Sequence, residues 1–362
     1  MGKRNKVTTR DIAEQTGFSQ STVSMILSGK PSVSFSEETI EKVRAAAADL
    51  GYKKPQKKSK PLNRSLSDTI MVLCPTLANG YYYGIIHTIC EQARLYGYKV
   101  LTAVTFRRQE NEDMYFQLFR ENVLAGVILL YPLKKYTEAD SLTRQVPVVS
   151  IGEKAGSAHF DSVELDSRKP GYVMAEHLLS LGHRQITYIS GPVSRKESSR
   201  LRRLEGFRQC LTEHGLDPLS LQLLSPGEAV YNAYPVTEAE YRTGYDMTIR
   251  ALDAGSPSTA YVGHCDTIAC GILAAMADRG LHVPEDCSVA GFDNTSMAAM
   301  PQLSLTTVEH SAGLKGKKAV DLIHQKNTRS GVPGEEDVIV HMEYEPRLII
   351  RKTTAEAFHK GI

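Results

Sequence analysis

The sequence predicts a small N-terminal all-α headpiece followed by a larger α/β body made of two doubly wound parallel-sheet halves. The chain has 362 residues, too many for one ordinary hydrophobic core. Apolar residues recur at helical spacing over residues 8–51, whereas β-rich segments alternate with amphipathic helical segments after residue 68. We therefore expect a headpiece at 1–60, a linker at 53–67 and a body at 68–354.

The two parts of the chain differ in charge. Residues 1–66 carry 13 Lys and Arg against 6 Asp and Glu, a balance of +7, and the remaining 296 residues have a balance of −5. A basic terminal segment is typical of nucleic-acid binding, although a disordered solubilising tail has the same composition. The helical spacing of its apolar residues favours a folded nucleic-acid-binding module.

The first two helices of the headpiece are marked by turn and capping residues. Thr8 and Asp11 have the spacing of a capping box at the start of a short helix. Gly17 permits a left-handed turn residue, and Ser19 can cap a second helix from Gln20 to about Ser28. Two short helices joined by such a turn form the helix-turn-helix motif, whose second helix enters the major groove of DNA.

A third helix, expected after Ser36, completes the headpiece. Apolar residues share one face of the second and third helices; they are Val23, Ile26, Leu27, Ile40, Val43, Ala47 and Leu50. If this face points to the core, Gln20, Ser21, Thr22 and Met25 point outward. Gln bonds bidentately to adenine, Ser and Thr bond to several groups, and a Met methyl can touch a thymine methyl. Contacts with phosphate or water only are the alternative.

The linker at 53–67 is rich in Lys and contains two prolines. It is either a flexible connection with solvated lysines or a segment that lies along DNA. In the second case Lys57 and Lys58 contact phosphates and Leu62 wedges into a minor-groove step. The sequence leaves both alternatives open.

The body alternates between strands and helices. Strands are expected at 69–74, 99–104, 126–130, 146–151, 186–190, 259–263 and 287–291. Helices are expected near 82–96, 110–122, 169–181, 199–214, 238–253, 267–279 and 313–326. This alternation predicts parallel sheets covered by helices on both faces. Ligands of such sheets bind at the carboxyl ends of the strands, so we expect a ligand cleft between the halves.

Several functional classes are not supported by the sequence. It has no P-loop, dinucleotide-binding, nucleophile-elbow or H-E-x-x-H zinc motif, and the segment 264–266 (His-Cys-Asp) lacks an evident orienting partner for catalysis. The six cysteines include no C-x-x-C pair, which favours reduced thiols over disulfides or a zinc site. No apolar run approaches the roughly 20 residues of a membrane helix, and the N-terminus lacks a signal-peptide pattern. We expect no enzyme activity, cofactor, metal or membrane contact, and a cytoplasmic location.

The motifs resemble those of the lactose-repressor/galactose-repressor family of transcription regulators. In the headpiece, the segments VTTRDIAEQTGFSQSTVSMILSG and VRAAAADLGYKKP carry the resemblance. In the body it lies in HLLSLGHRQITYISGP (177–192), RLRRLEGF (200–207), VAGFDNT (289–295) and LTTVEH (305–310). The resemblance implies a helix-turn-helix headpiece plus a periplasmic-binding-protein-like α/β domain. It also implies a homodimer that binds a palindromic double-stranded operator.

The resemblance also implies roles for DNA-binding residues. The implied set is Thr8, Ser19, Gln20, Ser21, Thr22, Met25, Lys57, Lys58, Ser59 and Leu62. Met25 occupies a position where many members have Arg, so the operator sequence is expected to differ. Ser59 stands where Ala is common, and Leu62 matches the wedge leucine of the hinge helix. Pro61 disfavours that helix by about 3 kcal/mol.

In the body, the resemblance implies an effector cleft. The implied residues are Tyr81, Tyr82, Ser199, Arg203, Cys265, Asp266, Asp293 and His310. The segment Asn79–Tyr82 resembles a turn whose aromatic residues stack on a sugar, although these tyrosines could simply pack in the core. Arg203 matches an effector-binding arginine and Asp293 an aspartate that accepts bonds from sugar hydroxyls. A buried structural Arg–Asp pair is the competing interpretation.

Three cleft positions depart from the family pattern. Gly152 replaces a common Asp, Cys265 a common Asn and His310 a common Gln. The changes remove one acid and add a group that can become a cation near Arg203. We therefore hypothesise that the effector is acidic, such as a sugar acid or sugar phosphate, rather than a neutral sugar.

The sequence as a whole predicts a DNA-binding transcriptional regulator, expected to be a repressor, controlled by a small sugar-like effector. Whether the effector induces or corepresses is left open. A transporter's solute-binding protein would share the body fold but would have a signal peptide in place of the headpiece. An enzyme on a doubly wound fold would need a catalytic or cofactor motif.

Overall fold

The computed structural model describes residues 7–28, 35–52, 66–133, 143, 145–153, 159–193, 199–329 and 338–357. The chain divides into two compact units at residues 64 and 65. Among the described residues, no helix is both long and apolar enough to cross a membrane.

The described part of the first unit contains the three expected helices: α1 (Thr9–Thr16), α2 (Gln20–Ser28) and α3 (Glu37–Asp49). Gly17 ends α1 in the left-handed conformation at φ 74°, as the sequence predicts. The core consists of Ile12, Val23, Ile26, Val43, Ala46 and Ala47. A shared apolar core therefore holds the three helices together, and the polar face of α2 remains outside it.

The described part of the second unit, the body, contains twelve strands and eight helices. The strands are β1 (Thr69–Cys74), β2 (Lys99–Val104), β3 (Gly126–Leu129), β4 (Val148–Glu153), β5 (Asp161–Leu165), β6 (Ile186–Ile189), β7 (Gln222–Leu224), β8 (Ala260–Gly263), β9 (Ser288–Phe292), β10 (Thr306–Glu309), β11 (His341–Glu343) and β12 (Arg347–Ile349). The helices are α4 (Gly80–Leu95), α5 (Gln109–Glu121), α6 (Arg168–Ser180), α7 (Ser199–Glu213), α8 (Glu228–Ala233), α9 (Ala239–Asp253), α10 (Asp266–Asp278) and α11 (Ala312–Arg329).

The strands form two six-stranded sheets. The first half has the order β2-β1-β3-β4-β5-β11, and all its pairs are parallel. The second half has the order β7-β6-β8-β9-β10-β12, parallel except for β12. Each sheet reverses its winding direction beside its first strand, β1 or β6, and ligands of doubly wound folds bind at such switch points.

The chain crosses between the halves more than once. It leaves the first half after β5, since α6 packs with α7 in the second half. It returns after β10, because α11 packs against α4 and contributes Ala319, Val320 and Ile323 to the core of the first half. The strands β11 and β12 then add one edge to each sheet. The chain thus passes between the halves three times: after β5, after β10 and between β11 and β12.

The seven expected strands and seven expected helices are all present, with boundaries that differ by three residues or fewer. The strands β5, β7, β10, β11 and β12 and the short helix α8 were not foreseen. The strand β5 was missed because Asp161, Ser162 and Glu164 are polar but buried. Asp161 is compensated by Lys326, 3.0 Å away, and Ser162 bonds to Glu164. A buried strand with internally paired polar side chains does not show an apolar pattern.

Reciprocal glycine contacts fix the distance between two helices of the second half. A Cβ added to Gly206 in α7 would lie 1.9 Å from the carbonyl oxygen of Arg168 in α6. A Cβ on Gly171 in α6 would lie 1.9 Å from the carbonyl oxygen of Arg203 in α7. Only glycine permits this approach, which positions the helix that carries Arg203.

Candidate functional site

The outer face of α2 is ordered by its own polar side chains. The Ser19 hydroxyl accepts a hydrogen bond from the Thr22 N–H at 3.2 Å and lies 2.7 Å from the Ser21 hydroxyl. The Gln20 amide donates to the Thr9 hydroxyl at 3.3 Å, which connects α2 to α1. Ser19, Gln20 and Ser21 are exposed, whereas Val23 is completely buried. This arrangement places the amide and hydroxyl groups on the exposed face of the helix, where an external partner can reach them.

The start of α1 is capped as the sequence predicts. The Asp11 carboxylate accepts hydrogen bonds from the Thr8 N–H at 2.7 Å and from the Thr8 hydroxyl at 2.9 Å. These bonds hold the pKa of Asp11 below its ordinary value, because they favour the ionised form. Thr8 is exposed, and Thr22 and Met25 are half-buried. The other predicted DNA contacts, Lys57, Lys58, Ser59 and Leu62, lie outside the described residues, as does Pro61.

In the body, Arg203 is the centre of the predicted effector site. Its side chain is buried, with 5% of its surface exposed. One terminal nitrogen, Nη1, donates to the His264 carbonyl at 2.5 Å, and the other, Nη2, donates to His310 Nε2 at 3.0 Å. The guanidinium carbon lies 4.5 Å from the centre of the Phe292 ring. Arg203 thus connects segments that follow β8 and β10 and stacks on the last residue of β9.

His310 is neutral in this arrangement. Arg203 can only donate, so His310 Nε2 must accept and the ring proton resides on Nδ1. Burial, followed by the charges of Arg203 and Lys315, lowers the pKa of His310 well below its ordinary value. The expectation that His310 adds a cation near Arg203 is therefore wrong: a buried imidazole beside two cations stays unprotonated.

Asp293 lies beside His310, with its Oδ1 3.4 Å from His310 Nε2. Burial raises the pKa of the Asp293 carboxyl well above its ordinary value, although Arg203 opposes this shift. Asp293 and Asn294 have φ angles of 105° and 50°, in the region that glycine adopts most readily and most other residues avoid. The Asn294 amide oxygen accepts a 2.6 Å hydrogen bond from Arg351, which helps to hold the turn.

Cys265 and Asp266 form the beginning of α10. The Cys265 thiol is buried, and burial raises its pKa well above the ordinary value. The Asp266 carboxylate accepts hydrogen bonds from the Thr295 N–H and hydroxyl and from the Thr307 hydroxyl, at 2.6 to 2.9 Å. Burial nevertheless raises the pKa of Asp266 to about 6. Because both carboxylate oxygens are already bonded, Asp266 positions the turn after β9.

The aromatic residues of the first half contact the second half directly. The rings of Tyr81 and His310 are perpendicular, with centres 6.2 Å apart. Tyr82 is edge-on to Tyr81, and its hydroxyl accepts a hydrogen bond from Arg107 at 3.3 Å. Both tyrosines are half-buried, as is expected for side chains that line a cleft and do not belong fully to the core.

Other contacts also cross the cleft. The Asn79 side-chain amide donates to both carboxylate oxygens of Glu240 in α9, at 3.0 and 3.1 Å. A Cβ on Gly80 would lie 3.1 Å from the Thr295 methyl group. Ser199, in contrast, is exposed at the first turn of α7. The structure thus brings Tyr81, Tyr82, Arg203, Asp293 and His310 together between the halves.

Three charged residues near Tyr82 were missed from the sequence: Arg107, Arg200 and Glu240. Arg107 follows the carboxyl end of β2, a position that could have drawn attention to it. Arg200 lies one turn before Arg203 and donates to the Tyr231 hydroxyl at 3.3 Å. Glu240 gives no signal in the sequence, because only the fold places it opposite Asn79.

Surface cavities of about 340 and 620 Å³ lie elsewhere on the body. Their linings include none of the predicted effector residues. The described residues also contain no group of three or more His, Cys, Asp or Glu side chains that could hold a metal ion.

Known proteins share both parts of the chain. The profile of bacterial regulatory proteins of the lacI family matches residues 8–55, and that of the periplasmic binding protein-like domain matches residues 175–354. The HTH-type transcriptional regulator reg1 of Streptomyces lividans is 30% identical over 359 residues, or 97% of this chain and 98% of that protein. The HTH-type transcriptional regulator DegA of Bacillus subtilis is 28% identical over 354 residues, or 97% and 98%. The Lac repressor bound to ONPG in its repressed state has 26% identity and a TM-score of 0.65, covering 97% of this chain and 100% of that chain.

A helix-turn-helix headpiece followed by a periplasmic-binding-like α/β body defines a DNA-binding transcription regulator with a separate ligand-binding part. The chain belongs to the lacI family of bacterial regulatory proteins. Both the family resemblance and the fold class expected from the sequence are thereby confirmed.

Proposed function

We propose that the protein is a repressor that binds a palindromic operator as a homodimer and is controlled by a small sugar-like effector in the body cleft. The observation that carries the DNA-binding part is the polarity of α2: Val23 and Ile26 are buried, while Gln20 and Ser21 are exposed. Gln20 and Ser21 are proposed to contact base edges, and Thr8, Ser19, Thr22 and Met25 to contact bases or phosphates. The proposal also includes Lys57, Lys58, Ser59 and Leu62.

The effector part rests on the convergence of side chains at the carboxyl ends of the strands. Tyr81 and Tyr82 supply aromatic faces, and Arg203, Asp293 and His310 supply polar groups, a composition typical of small-molecule sites. Cys265 lines the site, Asp266 acts through the turn that it holds, and Ser199 borders the opening.

Effector binding then shifts the balance between two arrangements of the halves. Operator affinity then changes, because the effector binds one arrangement more tightly than the other and the operator also prefers one of them. No catalytic step is assigned to the cleft, and the protein is proposed to act in the cytoplasm.

The homodimer agrees with exposed apolar side chains on the first half of the body. They include Leu77, Tyr83, Leu95, Tyr96, Leu101, Phe106, Met114 and Val123, and the second half exposes others such as Leu219 and Val236. Large exposed apolar side chains are favourable at subunit interfaces. A palindromic operator matches a two-fold symmetric pair of headpieces.

DNA duplexes selected from a random pool by the full-length protein test the proposal. The selected sequences are expected to be palindromic, and affinity measured by gel shift is expected to fall steeply with salt. Gln20→Ala should weaken binding about tenfold or more, since one bidentate base contact contributes about 1–3 kcal/mol.

Gln15→Ala is the matched control, because Gln15 is an exposed glutamine on α1. It should leave the affinity within about twofold. Salt-independent binding, or equal losses in the two variants, would contradict the assignment of α2 as the reading helix.

A further inference from the structure

Three arginines at the proposed effector site are held by neutral groups. Arg203 contacts a carbonyl, a neutral imidazole and an aromatic ring. Arg200 donates to the Pro192 carbonyl and the Tyr231 hydroxyl, both at 3.3 Å. Arg107 donates to the Tyr82 hydroxyl, and its guanidinium lies 5.0 Å from the centre of the Tyr131 ring.

None of these three arginines forms an ion pair with a carboxylate among the described residues. Four arginines elsewhere in the body do: Arg168 pairs with Glu205, Arg242 with Glu238, Arg279 with Asp253 and Arg347 with Glu309. The cleft therefore brings together three arginines that have no direct carboxylate partner among the described residues.

The burial of Arg203 makes this absence costly. The Nε of Arg203 is inaccessible to water and has no hydrogen-bond partner. A buried cation is stable only when nearby negative charge or hydrogen bonds compensate for its lost hydration. An anion placed at the cleft would supply that compensation.

Cations and carboxyl groups both lie around Tyr82 and the neighbouring Asp293. The pKa of the Tyr82 hydroxyl is raised by burial, lowered by Arg107 and Arg200 and raised by Glu240 and Asp293, so all four charges lie around this group. Arg203 and Lys315 both act on Asp293 as well. Asp266 also acts on Asp293, so four cations face three carboxyl groups. Two of these carboxyl groups already accept hydrogen bonds: Glu240 from Asn79, and Asp266 from Thr295 and Thr307.

Arg107 is presented by an unusual backbone. Phe106 and Arg107 both have φ angles of 53°, in the left-handed region that is unfavourable for non-glycine residues. The Thr105 hydroxyl accepts a 3.3 Å hydrogen bond from the Arg107 N–H and lies 2.6 Å from the Tyr131 hydroxyl. Tyr131 in turn donates to the buried Glu112 at 2.7 Å. A strained turn braced by a buried network is typical of functional positions.

We propose that the effector is an anionic polyol, a sugar phosphate or a sugar carboxylate, whose anionic group is bound by Arg107, Arg200 and Arg203. Asp293 accepts hydrogen bonds from the hydroxyl groups of the same molecule. Arg107 belongs to the first half and Arg200 to the second, so an anion between them joins the two sides of the cleft. This inference rests on the proposed effector site, to which it adds a ligand class and two ligand-binding residues, Arg107 and Arg200.

Isothermal titration of the full-length protein tests the inference with matched ligands. The ligands are glucose, glucose 6-phosphate, glucuronate, ribose, ribose 5-phosphate and inorganic phosphate. At least one phosphorylated or carboxylated sugar is expected to bind tenfold or more tightly than its neutral parent, since charge-assisted hydrogen bonds are about twice as strong as neutral ones. Inorganic phosphate alone is expected to bind more weakly than the sugar phosphate.

Variants identify the residues responsible. Arg107→Gln and Arg200→Gln are each expected to weaken the anionic sugar about tenfold while changing the neutral parent by less than twofold. Arg108→Gln removes the same charge from the adjacent exposed residue, whose side chain makes no capping bond to α5, and should leave the ratio unchanged. Thermal denaturation verifies that all three variants fold.

The outcomes separate this inference from the proposed function. Equal affinity for neutral and anionic sugars, no binding by any of the six ligands, or equal effects of Arg107→Gln and Arg108→Gln would overturn the inference. A protein that binds its selected DNA and is controlled by a neutral sugar retains the proposed function and overturns only the ligand class. Failure to bind DNA overturns the proposed function, while the titrations still decide the ligand class.

Discussion

Gly206→Ala tests the close approach of α6 and α7. The added Cβ would lie 1.9 Å from the Arg168 carbonyl oxygen, whereas carbon–oxygen contacts require about 3.3–3.6 Å, so the helices must separate by about 1.5 Å. Overpacking of this kind costs about 1–3 kcal/mol, and the contact with rigid backbone places the cost near 3. Replacing a helical glycine by alanine stabilises the helix by about 1 kcal/mol, so the net decrease in the free energy of unfolding is about 2 kcal/mol. At about 2–4 °C per kcal/mol, the Tm of the body should fall by about 4–8 °C.

The matched control is Gly84→Ala in α4, where an added Cβ meets nothing within 4 Å. It should raise the Tm by about 1–4 °C, because only the helix-propensity gain remains. Differential scanning calorimetry measures both variants. Because α7 carries Arg200 and Arg203, effector affinity should also decrease in Gly206→Ala. The reasoning about helix spacing fails if Gly206→Ala raises the Tm as Gly84→Ala does.

Two further predictions concern capping and pH. Ser19→Ala should destabilise the headpiece by about 1 kcal/mol, because the Thr22 N–H loses its acceptor. The control Ser24→Ala, at an exposed position of the same helix, should not destabilise it. Urea denaturation followed by circular dichroism measures the stability of both variants. Burial lowers the pKa of His183 below 6.5, so the stability that depends on its neutral form is complete above that pH and is lost as pH falls through the lower folded-state pKa. The raised pKa of Asp266 changes stability in the opposite direction near pH 6, so the test compares His183→Gln with the wild type. Between pH 7.5 and 5.5 the Tm of His183→Gln should fall less than that of the wild type. An equal or larger fall would contradict the role assigned to His183.

Local patterns in the sequence predict much of the fold. The α1 cap, the left-handed Gly17 and the bounds of α2 follow from residue types at adjacent positions, and the structure shows all three. The strand β5 could not be read in this way, because its buried polar residues are neutralised by partners distant in the chain, such as Lys326 and His341. Short-range patterns thus identify elements whose stability is local or apolar.

The charge of the site was the least predictable feature. The sequence suggests His310 as an added cation, but a histidine's protonation depends on burial and on the donor that faces it. Arg203 supplies that donor, and their contact spans 107 positions of the sequence. The positive charge near Tyr82 instead comes from Arg107, which lies outside the family motifs, and from Arg200, which begins the RLRRLEGF motif but has no role implied by it.

Both sides of the cleft share a feature that connects structure to regulation. On one side the left-handed residues are Phe106 and Arg107, and on the other they are Asp293 and Asn294. The left-handed conformation costs each of these residues about 1–3 kcal/mol, so the surrounding hydrogen bonds must stabilise the turns. A charged group fixed before the ligand arrives loses little side-chain entropy on binding. More of the binding free energy is then available to favour one arrangement of the halves over the other. This difference in binding free energy sets how strongly an effector changes the affinity for a distant operator.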